Sequence, residues 1–285
     1  FVRDERGRAV SAGFNWGARL RALDTTHPQA LSGLAALMRR VRGWGYDVLK
    51  LDFLYGAALP GRRHRDVPRE AAYREGLAVV REALGPDAYL LACGAPIVPS
   101  LGLCDGLRVG PDVAPLWESR RDAEFLANPT TPGTRNAIRT TLHRLWLAPL
   151  VNPDPDVAYF ARSETTLSEA ERLLLQDLAL VCDAPATSDL PDALTAAERD
   201  ELRSFLESRP PVERVGRYRY RIGERTADFA PAVPLPAPAR GAASVAAVAL
   251  GALGSVPAVL RALNRLERRS LAGRLARLRG REAVD

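Results

Sequence analysis

The apolar positions of this chain switch between two periods. Leu31, Leu34, Leu37, Met38 and Val41 recur at helical spacing. Thr26 or His27 stands at the cap of that helix, and Pro28 takes the first turn, where a missing N–H costs nothing. Gly43 and Gly45 stop the helix, and residues 46–52 follow as an apolar strand. The alternation then repeats. A polar loop from Gly61 to Val67 leads to a helix from about Pro68 to Leu84, which Gly85-Pro86 breaks. Residues 88–93 read as the next buried strand and residues 106–109 as a short one. Ala137, Ile138, Thr141, Leu142 and Leu145 mark another helix, followed by the apolar stretch 146–151. Ser168 with Glu171, and Thr195 with Glu198, are capping boxes that open two further helices. Upstream, a short strand-like stretch ends at Ala22-Leu23-Asp24.

Strands alternating with helices predict an α/β fold with a parallel sheet covered by helices. The long loops after the strand ends suit a partial (β/α)8 barrel, of the TIM type, whose chemistry sits at the C-terminal ends of its strands. Asp52, Cys93 and Asp112 all fall at or just after such ends. After Pro210-Pro211 the texture changes: residues 217–222 alternate with period two, as a half-exposed strand does. The expected organisation is a barrel portion over 1–209, a short β stub over 210–230, and a Pro/Ala linker with a basic tail over 231–285.

Charge changes the picture only when it is located. The net charge is +6, and residues 240–285 account for all of it, with nine arginines against three acids. The remainder is neutral and lacks the concentrated basic face that nucleic acid requires. Ala242 to Leu260 is uncharged and long enough to reach across a bilayer. It is mostly Ala and Gly with Pro257 inside, so it reads as a loose helical hairpin or disorder before a span. The Arg/Leu run 261–281 reads as a solvated basic helix, the alternative being contact with an anionic membrane surface. Cys93, Cys104 and Cys182 are odd in number and give no disulfide framework. His27, His64 and His143 are far apart and form no zinc pattern with them. The chain opens Phe1-Val2-Arg3, with neither Met nor a signal-peptide layout, and is expected to be a piece of a longer protein.

The candidate chemistry starts from one residue. Of 40 basic residues, Lys50 is the single lysine. It stands two before Asp52 in the strand 46–52, so both lie on one face. A compact ammonium is not what a guanidinium supplies, and the pair marks the heart of a site. The second half is Asp105-Gly106-Leu107-Arg108-Val109-Gly110-Pro111-Asp112, in which Gly110-Pro111 turns sharply enough to aim Asp112 back over Arg108. Two carboxylates, each with a cation nearby, fit retaining glycoside hydrolysis. Asp105 is a rival to Asp112. Trp44 and Trp146 read as packing residues, and Trp117 stands evenly between packing and the mouth of the site.

At these residues the chain resembles a family. The stretch from about Trp16 to Asp192 is similar to microbial α-galactosidases of glycoside hydrolase family 36, in the melibiase clan. Their Lys-x-Asp-Phe-Leu segment stands at Lys50 to Leu54, their Cys-Gly-Ser/Ala-Pro segment at Cys93 to Pro96, and their Asp-Gly-Met/Leu-Arg-Ile/Val-Gly-Pro-Asp segment at Asp105 to Asp112. The resemblance implies that Asp52 is the nucleophile and Asp112 the acid/base. It implies that Lys50 and Arg108 hold sugar hydroxyls, that Trp16 presents its ring to the sugar, and that Cys93 lines the pocket, the alternatives being a structural ion pair for Arg108, core packing for Trp16 and an inert buried thiol for Cys93. The implied substrate is an oligosaccharide with a terminal α-D-galactose, such as melibiose or raffinose, and no metal or organic cofactor is called for. Asn152 to Asp156 resembles the family's Asn-Asp-Pro-Asp turn, with Pro153 where Asp is usual; it and Ser188-Asp189 are assigned to loop structure. The family has an N-terminal β-sandwich and an earlier barrel strand with an Asp pair, and this chain begins after both. It is therefore expected to hold the back half of a barrel, with two open sheet edges, and to fold poorly and turn over little substrate alone. Transglycosylation through the same intermediate, and a catalytically silent sugar-binding fragment, are the other readings.

Overall fold

The protein is described by a computed structural model covering residues 1–15, 18–118 and 132–234. A hairpin of β1 (Ser11–Asn15) and β2 (Ala18–Arg21) pairs antiparallel near the start. Then come α1 (Pro28–Gly43), β3 (Val48–Leu51), α2 (Arg69–Leu84), β4 (Tyr89–Ala92), the single turn α3 (Ile97–Ser100) and β5 (Gly106–Arg108). They are followed by α4 (Thr134–Arg144), β6 (Asn152–Asp154), α5 (Glu169–Val181) and α6 (Ala196–Glu207). The chain's described part closes with β7 (Val212–Arg214), β8 (Arg219–Ile222) and β9 (Arg225–Asp228). The strands β3-β4-β5-β6 form one parallel sheet in sequence order. The α/β reading therefore holds, as an open sheet with helices against it. No closed barrel is formed by the described residues.

Local chemistry explains these elements. His27 caps α1, its Nδ1 accepting from Gln29 N at 3.3 Å, and Pro28 begins the helix. Gly85, at φ 80°, ends α2. Both capping boxes form: Ser168 and Glu171 open α5, and Thr195 and Glu198 open α6.

The parallel sheet buries one face. Leu49, Leu90, Ala92 and Leu107 pack with Leu77, Val80 and Leu84 of α2. The opposite face carries Val48 and Lys50, both exposed. A second core gathers Ile138 of α4, Leu175 and Leu178 of α5, Phe205 of α6, and Tyr220, Ile222 and Phe229 from the C-terminal sheet. The period-two stretch at 217–222 is thus β8, and Tyr220 and Ile222 are its inward positions.

One sequence expectation is corrected. Trp44 and Trp146 were expected to pack, yet both are exposed, at 65% and 62%. Trp44 is the residue at which α1 ends and Trp146 sits in a 3-10 turn before β6, so both lie outside the regular faces that bury apolar side chains. Tyr46 and Val48 are exposed as well, and β3 has one lateral edge that no described strand covers. An apolar groove of about 410 Å³ lies among Leu20 of β2, Leu34, Leu37 and Met38 of α1, Leu51 of β3, and Leu77 and Val80 of α2. No helix among the described residues is long and apolar enough to cross a membrane. The stretch 242–260 and the basic run 261–281 lie outside the described residues.

One buried acid couples the helices to the C-terminal sheet. Asp177 of α5 is 3% exposed and pairs with Arg225 of β9. Burial pushes its carboxyl up to about 6, against the pull of Arg225. A carboxyl with a raised folded-state pKa adds stability below its ordinary value of about 3.9, and that stability is lost as pH rises through about 6. Asp177→Asn cannot titrate. Its stability relative to wild type should therefore improve by on the order of 2–3 kcal/mol between pH 4 and pH 7.5. Urea unfolding of both proteins at the two pH values measures this, and an unchanged difference would contradict it.

Candidate active site

Register assembles the site. In the parallel sheet Leu51 stands beside Ala92, Ala92 beside Leu107, and Leu107 beside Pro153. The next residues along the four strands are Asp52, Cys93, Arg108 and Asp154, and Arg108 pairs directly with Asp154. Parallel strands in register send such side chains to the same face. That face is the one bearing Lys50, at the C-terminal end of the sheet. Four segments far apart in sequence therefore meet in one row.

Backbone geometry fixes the Asp52 end. Cys93 N donates to Leu51 O at 2.8 Å, and Tyr55 N donates to Gly94 O at 2.7 Å, so the loop after β3 is stitched to the loop after β4. Phe53 adopts φ 55°, a left-handed conformation that a bulky residue rarely takes. In that conformation its N–H donates to Asp52 Oδ1 at 2.7 Å. Gly94 is needed twice over. Its φ is 55°, and a Cβ there would lie 3.3 Å from Phe53 N and 3.5 Å from Asp52 Oδ1. Asp52 itself is exposed, while Cys93 beneath it is 6% exposed. Burial, aided by a hydrogen bond to Asp52, pushes the Cys93 thiol up to about 12, so it stands as a neutral S–H donor.

At the other end Arg108 is the hub. Its side chain is 5% exposed. Nε donates to Asp154 Oδ2 at 2.8 Å, one terminal nitrogen to Asp156 Oδ1 at 2.5 Å, and the other to Asp112 Oδ1 at 3.2 Å. The turn at Gly110-Pro111 thus brings Asp112 back over Arg108, as the sequence suggested. Burial works to lower the guanidinium's pKa, and Asp154 with Asp156 more than offsets it, leaving it raised. Gly110 presses against α4, where a Cβ would lie 3.1 Å from Thr141 Oγ1. Asp112 remains open to solvent, with its side chain 74% exposed.

The remaining expected residues divide plainly. Trp16 lies outside the described residues. Asp105 precedes β5, at the far end of the sheet, where it pairs with Arg81 and accepts Leu90 N at 2.7 Å. Trp117 is partly buried against the second core. Asp154 and Asp156, assigned to loop structure from sequence, prove to be the two partly hidden carboxylates on Arg108. Their link to it spans 46 and 48 residues, and no local pattern announces it. Among the described residues no group of His, Cys, Asp and Glu converges as a metal site.

No family model matches the chain. It is similar to an α-galactosidase from Thermus thermophilus, TtGalA, solved with p-nitrophenyl α-D-galactopyranoside: 50% identity and a TM-score of 0.74, over 81% of this chain and 47% of that one. The same enzyme solved with stachyose gives 51% identity and a TM-score of 0.66, over 72% of this chain and 44% of that one. The shared stretch is similar to part of an α-galactosidase. The chain spans a little under half the length of the α-galactosidase structures it matches.

Proposed function

We propose that this chain carries the catalytic pair of a retaining α-galactosidase, which releases terminal α-D-galactose by double displacement. The reading rests on one observation above all: Asp52, and the Arg108 that bonds Asp112, share a single row at the C-terminal end of the sheet. In this reading β3 to β6 are successive strands of a (β/α)8 barrel, and the uncovered edge of β3 is where a further strand pairs.

Asp52 attacks the anomeric carbon as the glycosidic bond breaks, giving a covalent galactosyl ester. Asp112 gives its proton to the departing oxygen. Water then attacks the same carbon, Asp112 takes the proton from that water, and Asp52 leaves as a carboxylate. Retaining enzymes hold the two carboxyls about 5–5.5 Å apart. The backbones of β3 and β5 lie two strand spacings apart, about 10 Å, a gap that two facing side chains narrow. Phe53 N and the Cys93 thiol orient the Asp52 carboxylate. Lys50, on the same face, holds a galactose hydroxyl, and Arg108 has N–H donors left over for another. Trp16 offers an aromatic face.

Proton NMR of p-nitrophenyl α-D-galactopyranoside hydrolysis by the full-length polypeptide tests this. The first-formed sugar should be α-galactose. β-Galactose as the first product, or no hydrolysis, would reject the reading.

A further inference from the structure

We propose that Asp156 is a positioning residue for Asp112, acting through Arg108 and through the backbone of Val113. This rests on the assignment of Asp112 as the acid/base.

Asp156 spends its whole carboxylate on these two partners. Oδ1 accepts from Arg108 at 2.5 Å, and Oδ2 accepts from Val113 N at 2.8 Å. Val113 is the residue after Asp112, and Arg108 is the side chain that touches Asp112. One buried carboxylate therefore grips the candidate acid/base from both sides, by its side-chain partner and by its backbone neighbour. Asp112 has no burial of its own to orient it. An exposed carboxylate on a turn samples several rotamers, and a buried guanidinium locked in place narrows that set.

The backbone supports the same reading. Asp156 sits at φ 83°, outside the range that L residues favour. Among the described residues only Phe53, Asp156 and Asp183 share that trait without being glycine, and Phe53 is the residue whose N–H orients Asp52. Strained residues of this kind persist where the surroundings over-determine them. Here the over-determination is visible, because Asp156 N also donates to Asp154 Oδ1 at 2.9 Å, and Asp154 in turn holds Arg108 Nε. A left-handed turn would be met at less cost by glycine. The chain keeps a residue whose carboxylate reaches Arg108 and Val113 together.

The test exploits leaving groups. p-Nitrophenolate departs with little help from a proton, whereas a sugar oxygen needs one. kcat/KM reports the bond-breaking half of the cycle in both cases. Asp156→Asn and Asp156→Gly, in the full-length polypeptide, should each lose about 10-fold or more in kcat/KM on melibiose while losing under about 3-fold on p-nitrophenyl α-D-galactopyranoside. The glycine variant relieves the backbone strain, so its defect isolates the carboxylate. Equal losses on the two substrates, or a glycine variant as active as wild type, would overturn the proposal in favour of a structural role. So would failure of both variants to give wild-type circular dichroism. A wild type inactive on both substrates would instead reject the galactosidase assignment itself, and this inference with it.

Discussion

Asp52→Ala should lower kcat/KM for p-nitrophenyl α-D-galactopyranoside by about 10⁴-fold or more. The loss follows from chemistry, not from folding. No other carboxylate in the row can replace it: Asp154 is 8% exposed and committed to Arg108, and Asp156 is committed to Arg108 and Val113. Asp52 is exposed at the sheet's end, and the fold should tolerate its removal. Its bonds to Phe53 N and to the Cys93 thiol are the contacts that would be lost. Circular dichroism should therefore give a melting temperature within a few degrees of wild type. An inactive variant that melts far earlier would point to collapse of the loop instead. Added azide should restore turnover by entering the space the carboxylate leaves, and the product should be the β-galactosyl azide.

The second large effect is expected at Asp112, with a different pattern. Asp112→Ala should cost about 10³-fold in kcat/KM on melibiose, within the range for loss of a general acid, and about 10-fold or less on the p-nitrophenyl substrate. Turnover number should fall on both, because water still needs a base in the second half of the cycle. Azide, which needs none, should accelerate that half and give the α-galactosyl azide. The two variants would then yield azides of opposite configuration. That contrast separates a nucleophile from an acid/base more sharply than any loss of rate. Equal losses on both substrates at Asp112 would withdraw its role.

Much of the architecture was written in local pattern. Val48–Leu51 and Tyr89–Ala92 are apolar runs bounded by glycines, and Pro28, Gly85 and the Ser168 and Thr195 caps set helix ends through interactions within a few residues. The Asp112 turn was legible for the same reason, since its partner Arg108 is four residues away. What was missed is what distance along the chain conceals. Asn152–Asp154 carries a proline in its middle, which argues against a strand, yet it pairs with β5 at the described sheet's edge, where proline is tolerated. Asp154 and Asp156 looked like turn acids because their charge partner is reached only once β5 and β6 lie side by side. Arg108 was read as a sugar ligand with a structural ion pair as the alternative, and of its three carboxylate partners only Asp112 was legible in the sequence. Trp44 and Trp146 show the converse: apolar residues imply burial only when an element turns them inward.

The most direct test of the account is to trap the intermediate. A 5-fluoro-α-galactosyl fluoride, incubated with the full-length polypeptide and followed by peptide mass spectrometry, should leave one galactosyl-type adduct, on the peptide containing Asp52 and on that carboxylate. An adduct on any other residue, or steady turnover of galactosides with Asp52 unlabelled throughout, would contradict it.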